Sequence, residues 1–73
     1  MNEIKPKVLQ ALRENYPAGT RVKAISIDDP YTEIPIGTKG TVECIDDTGT
    51  RFIKWDNGAR LGVVYGVDTI AKI

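Results

Sequence analysis

The chain has 73 residues, 41% of them hydrophobic and 27% charged, the composition of one globular domain, and at that size folding buries only roughly 60% of the unfolded surface. Ten basic and ten acidic residues cancel, so no net field draws the protein to phosphate backbones or anionic lipid. No apolar run approaches the roughly 20 residues of a membrane span, and neither a spanning segment nor an N-terminal signal is expected. With one cysteine and no histidine, an internal disulfide is excluded and a transition-metal site is unexpected, so a cytoplasmic setting without a cofactor follows.

Pro6 suits the first helical position, where its missing N–H is not needed, and it pushes Lys5 into an extended conformation. The spacing predicts a helix from Pro6 to Asn15 with Val8, Leu9 and Leu12 on one side. Tyr16 extends that stripe, Ile4 can staple onto Leu9, and Tyr16-Pro17 ends the element. A helix this short is marginal alone in water, so its stripe must dock. The expected seat is an apolar patch around Phe52, Gly62 and Val64, covered by Val8 and Leu12.

Gly19 opens a β region. Strands are predicted at Thr20 to Ile27, Thr41 to Ile45, Thr50 to Trp55, Leu61 to Tyr65 and Thr69 to Ile73. They are separated by a long loop from Asp28 to Pro35, by Ile36-Gly37-Thr38-Lys39-Gly40, and by the turn signals Asp46-Asp-Thr-Gly49 and Trp55-Asp-Asn-Gly58. The fold class is therefore mainly β: a small five-stranded SH3-like barrel over residues 17–73, preceded by a short N-terminal α-helix within residues 1–16.

Side-chain alternation sets the register. A two-residue turn at Asn57-Gly58 would oppose Trp55 to Arg60 and mix polar with apolar on both faces. A three-residue loop with a left-handed Gly58 instead opposes Trp55 to Ala59 and Ile53 to Leu61. The second keeps one face apolar. The predicted core is Val22, Ala24, Val42, Cys44, Ile53, Trp55, Leu61, Val63, Ile70 and Ile73. The other face carries Lys23, Ile25, Thr41, Glu43, Phe52, Lys54, Arg60, Gly62 and Val64.

Phe52 is the outlier on that outer face, and such an apolar patch calls for a covering element or a partner. Flanked by Lys54 and Arg60, it could also stack single-stranded bases. Among Asp28, Asp29, Glu33, Asp46, Asp47 and Asp56, each aspartate is a turn former at a turn position. Gathered at loop ends, they could also receive basic peptides, although no spacing matches a calcium loop. Pro30, Tyr31, Pro35 and Trp55 suggest a groove for extended proline-rich peptides, against which stands the inward parity of Trp55. Cys44 has no histidine or helix start to activate it and reads as a small core residue rather than a nucleophile. The candidate binding surface is Phe52, Lys54, Arg60, Asp28, Asp29, Tyr31 and Glu33.

Six ordered blocks carry a resemblance: Tyr16-Pro-Ala-Gly-Thr-Arg-Val22, Asp28-Asp-Pro-Tyr31, Ile34-Pro-Ile-Gly-Thr-Lys-Gly-Thr-Val42, Asp46-Asp-Thr-Gly49, Trp55-Asp-Asn-Gly58 and Tyr65-Gly-Val-Asp68. Over about residues 16–73 the chain resembles the domain-of-unknown-function family numbered 4314, a set of small bacterial and phage proteins often on mobile elements. The resemblance implies no activity and no site. It implies an aliphatic and a polar residue where Arg51 and Phe52 stand. The expectation is a non-catalytic accessory binding module acting through protein contacts. The alternative is a small-barrel nucleic-acid-binding protein, and an enzyme is not expected.

Overall fold

In the computed structural model, which describes residues 4–28 and 34–73, helix α1 occupies Pro6–Asn15. Lys5 is extended, with φ −71° and ψ 142°, and no side chain caps the helix. The first turn closes when the Leu9 N–H donates to the Lys5 carbonyl at 2.9 Å, and the last when the Tyr16 N–H donates to the Leu12 carbonyl at 2.8 Å. Both boundaries fall where the two prolines require them.

Five strands follow: β1 Arg21–Ser26, β2 Lys39–Ile45, β3 Arg51–Trp55, β4 Arg60–Val63 and β5 Thr69–Lys72. All pairings are antiparallel, and the strands form one sheet in the order β4-β3-β2-β1-β5. No ladder joins β4 to β5 among the described residues, so the sheet keeps two edges. Val63 of β4 and Ile70 of β5 nevertheless share one core with Val22, Ala24, Ile34, Val42, Ile53 and Trp55. Among the described residues no helix is long and apolar enough to cross a membrane.

The β3–β4 hairpin has the three-residue loop that parity demands. Gly58 has φ 90°, the Trp55 N–H donates to the Ala59 carbonyl at 3.2 Å, and Ile53 faces Leu61. Trp55 is 1% exposed and lies across from Gly40. A methyl group added at Gly40 would come within 2.6 Å of Ile53 Cγ2 and 2.9 Å of Trp55 Cε3. Only a residue without a side chain fits beneath that ring.

Two expected core residues are not in the core. The β2–β3 register shifts between Val42, opposite Ile53, and Cys44, opposite Phe52. The extra residue, Glu43, turns everything after it to the other face, so Cys44 is exposed. Ile73 is 56% exposed because β5 ends at Lys72 and lies at a sheet edge. Leu61, on the opposite edge strand, is half-buried and packs against the core. Ile34, which follows the long loop, is buried in their place.

Helix α1 does not take the expected seat. Phe52 and Val64 remain 41% and 44% exposed. The helix end of the chain lies instead over the β2–β3 turn and Tyr65. A methyl group added at Gly49 would come within 2.7 Å of Ile4 Cδ1, 3.2 Å of Tyr65 Cβ and 3.5 Å of Leu12 Cδ1. Arg13 Nη2 pins the same contact, donating to Asp47 Oδ1 at 2.9 Å and to the Ile45 carbonyl at 3.4 Å. Gly49, buried and with φ 85°, gives the two aliphatic side chains a flat place to rest. No residue of α1 is fully buried, so removing residues 1–15 is expected to cost about 2–3 kcal/mol, the share of a few half-buried aliphatic side chains. Urea unfolding of the truncated chain checks this, and an unchanged midpoint would show that the docking contributes nothing.

Candidate functional site

The β2 bulge builds a row that the sequence pattern conceals. Cys44, Phe52 and Gly62 are cross-strand neighbours in succession and share the outer face. The row starts in the middle of the sheet and ends at its β4 edge, where Gly62 has no side chain to close it. It floors a shallow depression of about 310 Å³ lined by Glu43, Cys44, Phe52, Arg60, Leu61 and Gly62, with Ile53 beneath. Arg60 Nη1 and Glu43 Oε1 form an ion pair across one side at 2.8 Å. Lys54 pairs with Arg60 along the ladder. Three residues of the expected binding surface, Phe52, Lys54 and Arg60, thus come together.

Of the other four, only Asp28 is among the described residues. Asp29, Tyr31 and Glu33, together with Pro30, lie outside the described residues. Asp28 is exposed at the end of β1, where its backbone N–H donates to Asp68 Oδ1 at 2.7 Å. Trp55 cannot line a peptide groove, since it is buried with its Nε1–H donating to the Leu61 carbonyl at 3.3 Å.

A second cluster, on the inner side, was not among the expected sites. Arg51 is 6% exposed and alternates inward with Ile53 and Trp55. Its Nη2 reaches the Asp68 carbonyl at 3.5 Å, its guanidinium lies 5.9 Å from the Tyr16 ring centre, and its Nε is buried without a partner. Burial pushes its pKa down, partly opposed by Tyr16, Asp68 and Tyr65, yet a guanidinium remains charged. Lys72 Nζ lies 5.4 Å from the same Tyr16 ring centre, so two cations hold the residue that ends α1. The carboxylate of Asp68 is turned elsewhere, accepting from the backbone N–H groups of Asp28 at 2.7 Å and Val64 at 2.9 Å. The alternation rule that placed Ile53 and Trp55 inward also places Arg51 there, which was the available signal.

With this geometry in place, the chain matches the family described as Domain of unknown function (DUF4314) over residues 5–73. It belongs to that family. The match takes in helix α1 as well as the sheet. Comparison with curated proteins finds no match. In this DUF4314 protein, Arg51 and Phe52 occupy an inward and an outward position, the two environments for which the resemblance implies an aliphatic and a polar residue.

Further charged groups of the DUF4314 chain hold its strands and turns together. Arg21 clasps Asp56 at 2.8 and 2.6 Å and also donates to Thr41 Oγ1 at 3.0 Å. Asp46 Oδ1 accepts from the Thr48 hydroxyl at 2.6 Å and from the N–H groups of Thr48 and Thr50 at 2.9 and 3.0 Å. Asp46 and Asp47 precede β3 and Asp56 follows it, so these carboxylates stand at opposite ends of that strand. They form no common acidic mouth. Among the described residues no group of three or more His, Cys, Asp or Glu could hold a metal ion.

These contacts predict an acid response. The Thr48 hydroxyl first, and then the backbone N–H groups, hold Asp46 below its ordinary value of 3.8, and Arg21 does the same for Asp56. A carboxyl depressed in the folded state adds stability that is present above the unfolded value and lost as pH falls through the folded one. The urea midpoint is therefore expected to fall as pH drops below 3.8, and to fall less steeply in Asp46→Asn. Midpoints measured from neutral pH down to strong acid check both, and parallel curves for the two chains would count against the turn contacts.

Proposed function

We propose that this protein is a non-catalytic accessory binding module, built as an SH3-like barrel and acting in the cytoplasm of a bacterium or on behalf of a phage or mobile element, through protein contacts. The observation that carries this reading is Phe52. It lies 41% exposed in the middle of β3, opposite a glycine on the edge strand, and α1 does not cover it. A ring so placed exposes apolar area that a partner's side chain would bury, and exposed aromatic anchors of this kind dominate contact energies. Glu43 and Arg60, tied to each other at 2.8 Å, serve as the polar rim.

The nucleic-acid alternative gains nothing from the arginines. Of the four arginines, Arg13, Arg21 and Arg60 are each paired with a carboxylate, and Arg51 is buried. Duplex DNA is expected to show no binding at physiological salt, since even non-specific binders reach only about 10⁻⁴ to 10⁻⁶ M by neutralising many phosphates. Titration of labelled duplex and single-stranded oligonucleotides at two salt concentrations checks this. Micromolar, salt-sensitive binding lost in Phe52→Ala or Lys54→Ala would replace the protein-contact reading by a nucleic-acid one. The protein-contact reading itself is tested by co-purification from host cells. A protein retained after nuclease treatment with the wild-type chain, and lost with Phe52→Ala, supports it. Retention that is indifferent to Phe52 overturns it.

A further inference from the structure

Strand β4 is an edge whose hydrogen-bonding groups can be assigned one by one. Trp55 and Ala59 form a hydrogen-bonded pair, since the Trp55 N–H donates to the Ala59 carbonyl at 3.2 Å. In an antiparallel ladder bonded and non-bonded pairs alternate. Ile53 with Leu61, and Arg51 with Val63, are then bonded pairs. Lys54 with Arg60, and Phe52 with Gly62, are not. The N–H and C=O groups of Arg60 and Gly62 therefore point away from β3, and β4 has no other neighbour among the described residues. At the next outward position the Val64 N–H is already taken by Asp68 Oδ2 at 2.9 Å, and the Val64 carbonyl accepts from Asp68 and Val67. Among the described residues the free edge is thus bounded to two residues and four groups.

We infer that a second copy of this chain pairs with that edge, β4 against β4 about a two-fold axis centred on Leu61. The inference rests on the reading of the Phe52 face as a contact surface. Only this register uses all four groups: Arg60 of each copy exchanges two hydrogen bonds with Gly62 of the other. Centring on Arg60 or Gly62 would use half of them. The side chains fit the same register. Arg60 of the second copy comes to lie opposite Gly62, in the row of Gly62, Phe52 and Cys44. Thr50 Cγ2 and the Phe52 ring lie 2.8 and 3.5 Å from where a Gly62 Cβ would stand, so the aliphatic stem of that Arg60 meets the ring edge there while its guanidinium stays on its own Glu43. An isologous interface needs a patch complementary to itself, and a glycine and an arginine two residues apart supply one.

Charge does not oppose the pairing. A charged edge residue ordinarily blocks strand addition, but Arg60 is neutralised by Glu43 within its own chain, and the net charge of the chain is zero. The contact is small, so the dimer should be weak, with a dissociation constant on the order of 10⁻⁵ to 10⁻³ M.

Sedimentation velocity on the full chain, from about 10 μM to 1 mM around that constant, should show a dimer fraction rising with concentration. Arg60→Pro removes one outward N–H and leaves the ladder to β3 intact, so it should weaken dimerisation by at least about tenfold. A second measurement does not depend on that variant folding. Leu61→Cys in a Cys44→Ser background places two thiols across the axis in a non-bonded pair, with Cα atoms about 4.5 Å apart. Mild oxidation should link it as a dimer far faster than Lys23→Cys in the same background. A chain that remains monomeric up to millimolar concentration, or cross-linking no faster than in the Lys23→Cys control, overturns the inference. A monomer that still retains a different protein through Phe52 would overturn the inference alone and leave the binding-module reading standing.

Discussion

Trp55→Ala is expected to lower the unfolding free energy by about 3–5 kcal/mol, the usual cost of truncating a buried large aromatic. For a domain of this size that is a large part of the total. The indole is the largest side chain that is fully buried. It also closes the sheet at two strands, lying over Gly40 of β2 and donating to the Leu61 carbonyl of β4. Truncation empties the space above Gly40, which the rigid backbone on both sides cannot refill. Urea unfolding followed by far-UV circular dichroism measures the effect. A loss below about 1 kcal/mol, the scale of a surface substitution, would mean that the core is not centred on this ring.

Asp68→Ala should cost about 2–4 kcal/mol, more than its position at the end of a turn suggests. Its carboxylate is the acceptor for two backbone donors, the N–H groups of Asp28 and Val64. Through them it ties the end of β1 to the connection between β4 and β5. Removing it strips two N–H groups of their partner, and a hydrogen bond to a charged group contributes about 1.5–3 kcal/mol, less here because both bonds are only part-buried. Asp68→Asn keeps one acceptor oxygen and should fall midway. Chemical denaturation of the three chains gives the order directly. An Asn variant as unstable as the Ala variant would show that charge, and not the pair of acceptors, is what the turn requires.

The helix boundaries, the five strands and the Trp55–Ala59 register were legible in the chain itself, and each for a local reason. Pro6 and Tyr16-Pro17 punctuate α1, the Gly, Asp and Asn clusters punctuate the strands, and period-two alternation chooses between two loop lengths at Gly58. Arg51 was legible in principle, because alternation puts it beside Ile53 and Trp55, but an arginine is not expected at a core position. The expected surface around Phe52, Lys54 and Arg60 was found on one face. Of the residues expected in an acidic mouth, Asp46 and Asp47 lie at the opposite end of β3 from Asp56, and all three are engaged by turn donors or arginines. Asp29 and Glu33 lie outside the described residues.

What only the tertiary structure decided are the placements that depend on one residue's offset or on the meeting of distant segments. The bulge at Glu43 is a single extra residue in one strand. It carries Cys44 from the core to the surface and so creates the row with Phe52 and Gly62. Alternation cannot announce such an offset, since the pattern reads equally well on either side of it. The seat of α1 was decided by Gly49 and Tyr65, far from it in sequence, because a buried glycine admits Ile4 and Leu12 where an ordinary side chain would exclude them. The sequence by itself determined the elements and their hydrophobic faces, which follow from local sterics and periodicity. Which apolar patch was covered and which was left exposed depended on the shape of surfaces that exist only after the chain has folded.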